Sequence, residues 1–288
     1  MKICTHSGGF HADEGFAVAA LLLLFPDSDV VRTREKSELA HCDACVDVGG
    51  VHNPAKNLFD HHQEGGAGKG EHGIPYSSFG LVWKTYGEKL CGSAEIAKKI
   101  EQEIIEPIDA NDVGVDISTS LIAGINHFDI SRIINRFRPY EEEGVTADDA
   151  FTKAIAFAKE YLLREIAHSK DELKAKQKVE ETYKNSDDKR ILIFNENISW
   201  ESSVMYLPEV LFVIYPNNFQ WRVKAVRKNW EKFESRKLLP ESWRGKISGD
   251  LARVSGVEDA LFCHLTGFTG GALSKEGALQ MARIAVDN

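Results

Sequence analysis

Side chains able to hold a cation are concentrated at one end of this chain. Seven of the ten histidines, His6, His11, His41, His52, His61, His62 and His72, fall within the first 72 residues, together with Asp13, Asp47 and Asp60. Imidazoles with carboxylates and no thiolate suit Mn2+, and also Mg2+, Fe2+ or Zn2+, and argue against a structural zinc. Two such cations about 3.5–4 Å apart, bridged by a carboxylate, polarise a phosphate and activate the attacking water. Singly, the residues have plainer accounts. Asp13 and Glu14 suit the start of a helix, His6 suits a hydrogen-bonded core position, and His41, His52 and His72 suit a surface. The clustering carries the metal reading.

The local pattern predicts how these residues are positioned. Residues 2–5 read as a strand, and Phe16 to Phe25 reads as a buried helix opened by Asp13 and Glu14. Val30 to Thr33 and Ala44 to Val48 read as further strands, with a turn or short helix over 35–40 between them. Alternating strands and helices predict a parallel α/β sheet, whose strands share one carboxyl edge where ligands bind. The stretches Thr5–Glu14, Asp47–Gly50 and Leu58–His62 each follow an apolar strand, so all three are expected at that edge. A glycine-rich loop at 65–73 follows, then a helix around 77–90 and another over 93–106 that should stop before Pro107. Residues 150–184 form a helix with one apolar face. Beyond a linker at Asn185–Asp188 come strands at 190–194, 210–215, 219–226 and 260–265, then a helix over 275–285. The expected fold class is α/β with two domains joined by helices. Residues 1–130 form a parallel-sheet metal domain, 131–188 a helical connector and 189–288 a smaller C-terminal α/β substrate domain.

The chain has 288 residues, of which 43% are hydrophobic and 27% charged, an ordinary globular balance. Its longest apolar run, Phe16 to Phe25, is too short for a bilayer span of about 20 residues. No signal or transit pattern opens the sequence, so the expected address is the cytosol. Five scattered cysteines are expected to be reduced, and the lone Cys42–Cys45 pair is half a zinc site at best. The net charge of −9 opposes indiscriminate binding of polyanions, yet residues 189–246 hold 11 Lys and Arg against 6 Asp and Glu. Within that stretch Arg222, Arg227, Arg236 and Arg244 lie near Trp221, Trp230 and Trp243, a mixture that contacts phosphates and stacks bases in single-strand binders. The same residues also serve as core and solvated face. Gly65–Gly70 lacks the Ser or Thr of a phosphate loop and reads as a connection. Gly270-Gly271 runs from a strand towards a helix, and the amides of such a turn suit an anion. A tight turn explains the glycines equally well.

The ordered segments THSGGFHADE, VDVGG, FDHHQ and IDANDVG resemble the four motifs of the DHH phosphoesterase superfamily. Together with SSFGLVWKTYG, LPESWRG and GFTGGALSKEGALQMA they are similar to the Myg (melanocyte-proliferating-gene) exonuclease family, over residues 3 to about 285. The resemblance implies a two-metal hydrolase, with Mn2+ the first choice of cation. His6, His11 and Asp47 would hold one ion. Asp13, Asp47, His61 and an aspartate of the fourth motif would hold the other, with Asp109 preferred and Asp112 as the alternative. Asp47 would bridge the two. His11 stands where the superfamily usually has aspartate, one residue further from His6. By the same resemblance His62 would donate to the substrate phosphate, Asp60 would orient an imidazole, and Gly270 and Gly271 would bind substrate, to which the basic stretch adds Arg222, Arg227 and Arg244 as candidate phosphate contacts. The implied reaction is 3′-to-5′ removal of nucleotides from single-stranded RNA by metal-activated water. Hydrolysis of small phosphates, such as pyrophosphate or short oligonucleotides, is the alternative enzyme. A metal or nucleotide sensor is the alternative from outside catalysis.

Overall fold

The computed structural model describes residues 1–230 and 232–288, and the chain divides into two compact units, Met1–Ser169 and Lys170–Asn288. In the first unit β1 (Lys2–Thr5) leads to α1 (Ala12–Leu24), β2 (Asp29–Arg32), the short α2 (Lys36–Leu39), β3 (Ala44–Val46), β4 (His52–Asn53) and β5 (Leu58–Phe59). The sheet order is β2-β1-β3-β5-β4, parallel except for the β4 edge. Helix α1 is built of alanine, leucine, valine and phenylalanine on every side, so it is buried from Ala12 to Leu21. It packs against α3 (Ser78–Cys91). Phe16 and Phe79 meet between them with ring centroids 5.5 Å apart, both fully buried. Each such side chain contributes roughly 1.5–3 kcal/mol by leaving water.

The helix expected over 93–106 is corrected. Helix α4 (Ala94–Ile100) passes through a π turn (Glu101–Ile105) into α5 (Glu106–Asp112), and the chain stays helical through Pro107. Pro107 lies in the first turn of α5, where a missing N–H is tolerated. Glu106, Asp109 and Asp112 therefore follow one another at helical spacing along one side of α5. After α6 (Ile130–Asn135) comes α7 (Ala147–Asn185), a single helix of 39 residues that contains the boundary between the units.

The second unit holds β6 (Ile191–Ile193), α8 (Glu201–Val204), β7 (Phe212–Asn217), β8 (Gln220–Ala225), α9 (Ser248–Ser255), β9 (Ala260–Cys263), β10 (Thr269–Ala272) and α10 (Lys275–Asp287). Its sheet runs β6-β7-β8-β10-β9, with only the β6-β7 pair parallel. Helix α10 covers the sheet with Ala278, Met281, Ala282 and Ala285, all fully buried.

Two expectations change here. Gly270 and Gly271 form no turn at a helix start. They are buried residues of β10, paired with β8 and β9, and Ser274 caps α10. A Cβ at Gly270 would stand 2.9 Å from the Phe262 carbonyl oxygen, and one at Gly271 would stand 3.0 Å from that of Trp221. Glycine is there for close backbone approach. The cysteines are not all reduced either: Cys4 of β1 and Cys42 form a disulfide, with Cα atoms 6.0 Å apart, while Cys45, Cys91 and Cys263 are buried and outside any disulfide. That Cα spacing lies within the usual range for a disulfide. Among the described residues no helix is long and apolar enough to cross a membrane.

Candidate metal centre

The carboxyl edge of the first sheet gathers the donors. His6 follows β1, Asp47 follows β3, and Asp60, His61 and His62 follow β5, while His11 caps α1 and Asp13 and Glu14 lie in its first turn. Three overlapping groups have donor atoms within 4.8 Å of one another: His6 with His11, Glu14 and Asp47; Asp47 with His61 and His62; and His11 with Asp13 and Asp112. Asp47 holds a left-handed backbone, φ +55°, which a non-glycine residue adopts only at a cost and which is common at functional sites. Its two oxygens face different imidazoles. Oδ2 lies 3.3 Å from His6 Nε2, and Oδ1 lies 3.5 Å from His61 Nε2 and accepts from Ser78 Oγ at 3.2 Å.

The hydrogen bonds around His61 leave one ring nitrogen open. Nδ1 is 3.2 Å from the Tyr76 carbonyl oxygen, which can only accept, so Nδ1 carries the proton and Nε2 keeps its lone pair. That Nε2 is buried without a hydrogen-bond partner and sits 3.4 Å from Asp112 Oδ2. His6 Nε2 and both carboxylate oxygens of Asp13 are likewise buried and unpartnered. His6 differs in its other nitrogen, where Nδ1 accepts from the Gly8 amide at 3.0 Å. Handing Nε2 to a cation requires the His6 proton to move.

Four carboxylates are therefore enclosed with few donors. Burial, then the charges of Asp47, Glu14 and Asp112, raise Asp13 well above the ordinary carboxylate range. Burial pushes Glu14 up to about 8, although both its oxygens lie 2.9 Å from the His11 amide. Burial raises Asp112 as well. For Asp47 burial works upwards but is outweighed by the imidazole of His6, 3.3 Å away, with those of His61 and His62, so it stays below its usual value. A carboxylate without a partner is costly inside a protein unless a proton or a cation compensates it. Unpartnered imidazole and carboxylate atoms, converging without thiolate, fit divalent cations.

The two aspartates of α5 separate by environment. Asp109, preferred from the sequence, accepts from Ser77 Oγ at 2.5 Å and from the Gly80 amide at 3.1 Å, and burial pushes it up to about 7 against these donors. It fastens the start of α3. Gly80 makes the contact possible, since a Cβ there would stand 2.7 Å from Tyr76 Cδ1 and would overlap Asp109 Oδ2. Asp112 reaches the imidazole of His61 instead.

Asp60 is 2% exposed and accepts from the Gly50 amide at 2.6 Å, the His62 amide at 3.0 Å and His62 Nδ1 at 2.9 Å. Its oxygens are engaged. The His62 side chain is 65% exposed, with Nδ1 held by Asp60 and Nε2 left for another partner. Sequence reasoning gave Glu14 only a helix-start role, although the carboxylate at the third helical position was the available signal. It missed Ser77 and Ser78 beside Asp109 and Asp47.

In the second unit Arg222 lies over the Phe262 ring at 4.6 Å, with Nε buried and unpartnered, and Arg227 lies over Phe233 at 4.6 Å. Arg244 Nε donates to the Leu239 carbonyl at 3.2 Å. Arg236 donates to the carbonyls of Met205, Leu207 and Val210, a structural role.

The model of the MYG1_exonuc family, described as an uncharacterised protein family (UPF0160), matches residues 2–286. The MYG1 protein of Dictyostelium discoideum is 32% identical over 98% of this chain and 95% of its own length. The MYG1 exonucleases of Rattus norvegicus and Homo sapiens are 32% and 30% identical over 98% of this chain, and 84% and 85% of theirs. Among solved structures, RecJ from Thermus thermophilus in complex with Mn2+ is matched over 100% of this chain and 52% of that one, with 14% identity and a TM-score of 0.30. The match across almost every residue, with identities of 30% and above to full-length relatives, assigns the chain to the MYG1 exonuclease family.

Proposed function

We propose that this chain is a metal-dependent phosphodiesterase that removes nucleotides from the 3′ end of single-stranded RNA. The nuclease class is supported by relatives that bear the name exonuclease across rat and human. One observation carries the metal dependence: the buried, unpartnered atoms of His6, Asp13 and His61 belong to three overlapping donor groups, two of which share Asp47. In this reading His6, His11 and Asp47 would hold one cation, and Asp13, Asp47, His61 and Asp112 would hold the other. Bound divalent cations supply charge for the scissile phosphate and lower the pKa of water, and the donor set favours Mn2+. Asp47, whose Oδ2 faces His6 and whose Oδ1 faces His61, would contribute to both positions. Asp60 accepts from His62 Nδ1 so that Nε2 faces outwards, and in the imidazolium form Nε2 donates to a phosphoryl oxygen as its charge grows. Hydrolysis of pyrophosphate or short oligonucleotides is the second reading, favoured by the internal engagement of Arg222, Arg236 and Arg244.

The deciding assay offers the protein with Mn2+ a single-stranded RNA labelled at its 5′ or 3′ end, beside single-stranded DNA, dinucleotides and pyrophosphate. A descending ladder from the 5′ label and immediate mononucleotide release from the 3′ label are expected. Early release of the 5′ label, or turnover of pyrophosphate alone, overturns the proposal.

A further inference from the structure

The turn between β1 and α1 carries two glycines whose backbone does not demand them: neither Gly8 nor Gly9 has a positive φ. What distinguishes them is the space their missing side chains leave. A Cβ at Gly8 would stand 3.0 Å from His6 Nδ1 and 3.5 Å from Arg34 Nη2. A Cβ at Gly9 would stand 3.5 Å from His11 Nε2 and 3.8 Å from Arg138 Nη1. Each opening is thus bounded on one side by an imidazole of the metal centre and on the other by a guanidinium.

The third arginine near this turn behaves differently. Arg32 is almost fully buried, donates to the Gly8 carbonyl at 2.7 Å and contacts Asp148 at 3.3 Å. It also lies 4.8 Å from the ring centroids of both Phe10 and Phe151. It is neutralised and clamped, and it pins the turn. Arg34 and Arg138 are exposed, and among the described residues no ion pair or hydrogen bond engages either guanidinium. Beside a centre rich in carboxylates, two exposed guanidinium groups next to the openings at Gly8 and Gly9 have the chemistry to receive an anion. The metal centre itself takes one phosphate. Each arginine shares an opening with an imidazole of that centre, Arg34 with His6 and Arg138 with His11.

We infer that Arg34 and Arg138, across the floor made by Gly8 and Gly9, form a subsite for a second phosphate of a nucleotide chain, the phosphodiester next to the one cleaved. The inference rests on the phosphodiesterase reading above and adds a substrate class: chains with at least two phosphates are preferred to those with one.

The test compares a trinucleotide, which has two phosphodiesters, with a dinucleotide, which has one, using Mn2+-loaded wild type, Arg34→Gln, Arg138→Gln and Gly9→Val, the last filling the opening. Wild type is expected to prefer the trinucleotide, and each variant to reduce that preference at least tenfold, mainly through KM. Equal preference in all proteins, or equal loss on both substrates, overturns the subsite. A second arm measures anisotropy of a labelled trinucleotide in EDTA over a range of salt. Each arginine variant should flatten the slope of log affinity against log salt by about 0.7, and an unchanged slope counts against the subsite. Arginine-dependent binding without hydrolysis by wild type would sink the phosphodiesterase reading and leave the subsite standing. Hydrolysis indifferent to Arg34 and Arg138 would do the reverse.

Discussion

Asp109 and Asp112 occupy the same helix three residues apart, yet their surroundings differ. Asp109 collects donors from Ser77 and Gly80 and is a tie between helices. Asp112 faces an imidazole nitrogen that has no hydrogen-bond partner. The same contrast recurs at a larger scale. In the first unit, the unpartnered buried atoms of His6, Asp13 and His61 gather at one edge of the sheet. In the second unit, Arg236 is bound to three backbone carbonyls and Arg244 to another. A buried polar group that is satisfied explains the fold, whereas a set left unsatisfied and aimed at one point needs a ligand.

The largest effect that would break this comparison is at Asp47. Asp47→Ala should remove bound Mn2+ and lower hydrolysis about 10³-fold or more, because the shared carboxylate is lost from both proposed positions. His41→Ala, outside the cluster, should change neither. Elemental analysis with single-turnover cleavage gives the answer, and an Asp47→Ala protein with full metal content would dissolve the site. The next effect separates the paired histidines. His62→Ala should keep its metal and lose about 10²–10³-fold in turnover, as expected for a lost donor to a phosphoryl oxygen. His61→Ala should lose metal. Matching metal loss in both variants would show that the two roles are shared.

Substitutions on α5 sharpen the contrast directly. Asp112→Asn should lower metal content with little change in the metal-free melting temperature. Gly80→Ala, which drives a methyl into Asp109, should destabilise the first unit by about 1–3 kcal/mol. Metal titrations and thermal melts distinguish the two, and the opposite pairing of results would restore Asp109 as the ligand.

A pH series tests whether burial of the carboxylates is what calls for a cation. Glu14 has a folded pKa raised to about 8, with Asp13 and Asp112 raised in the same direction. Raised values favour the protonated folded form, so their contribution is complete below the unfolded pKa and is lost as pH rises through the folded one. Asp47, lowered, works the other way. The metal-free protein should therefore lose stability between about pH 4.5 and 8. Mn2+ affinity should rise over the same window, because the ligands must shed protons. Melts in EDTA and with saturating Mn2+ should diverge as pH increases. Parallel curves would mean the carboxylates are compensated without a cation.

Much of the first sheet was legible because Val, Ile and Cys runs alternate with an apolar helix, and this pattern placed Thr5–Glu14, Asp47–Gly50 and Leu58–His62 at one edge. The pairing of roles on α5 was not, because Pro107 resembles a stop signal when the π turn before it is invisible in sequence. Gly270 and Gly271 misled for a related reason. Glycine marks a turn, an anion nest or a close contact between strands, and only the positions of Phe262 and Trp221 choose among these. The disulfide was equally hidden, since 38 residues separate Cys4 from Cys42 and only the fold brings them together.

The smallest expected effect concerns the second unit, where Arg227 differs from its neighbours. Its guanidinium covers Phe233, which is 89% exposed, whereas Arg236 is committed to the backbone. An exposed aromatic ring beside a cation suits base stacking with a phosphate contact. If residues 189–246 bind RNA, Arg227→Ala should weaken binding several-fold and flatten the salt slope by about 0.7 for one lost contact. Arg236→Ala should instead lower the melting temperature, because its carbonyl partners lose their donor. Fluorescence anisotropy of a labelled single-stranded RNA, read with Asp13→Asn protein to prevent cleavage, separates the outcomes. An Arg227→Ala slope identical to that of the parent would leave phosphate recognition to the metal centre and the arginines beside it, and would favour the short-oligonucleotide reading.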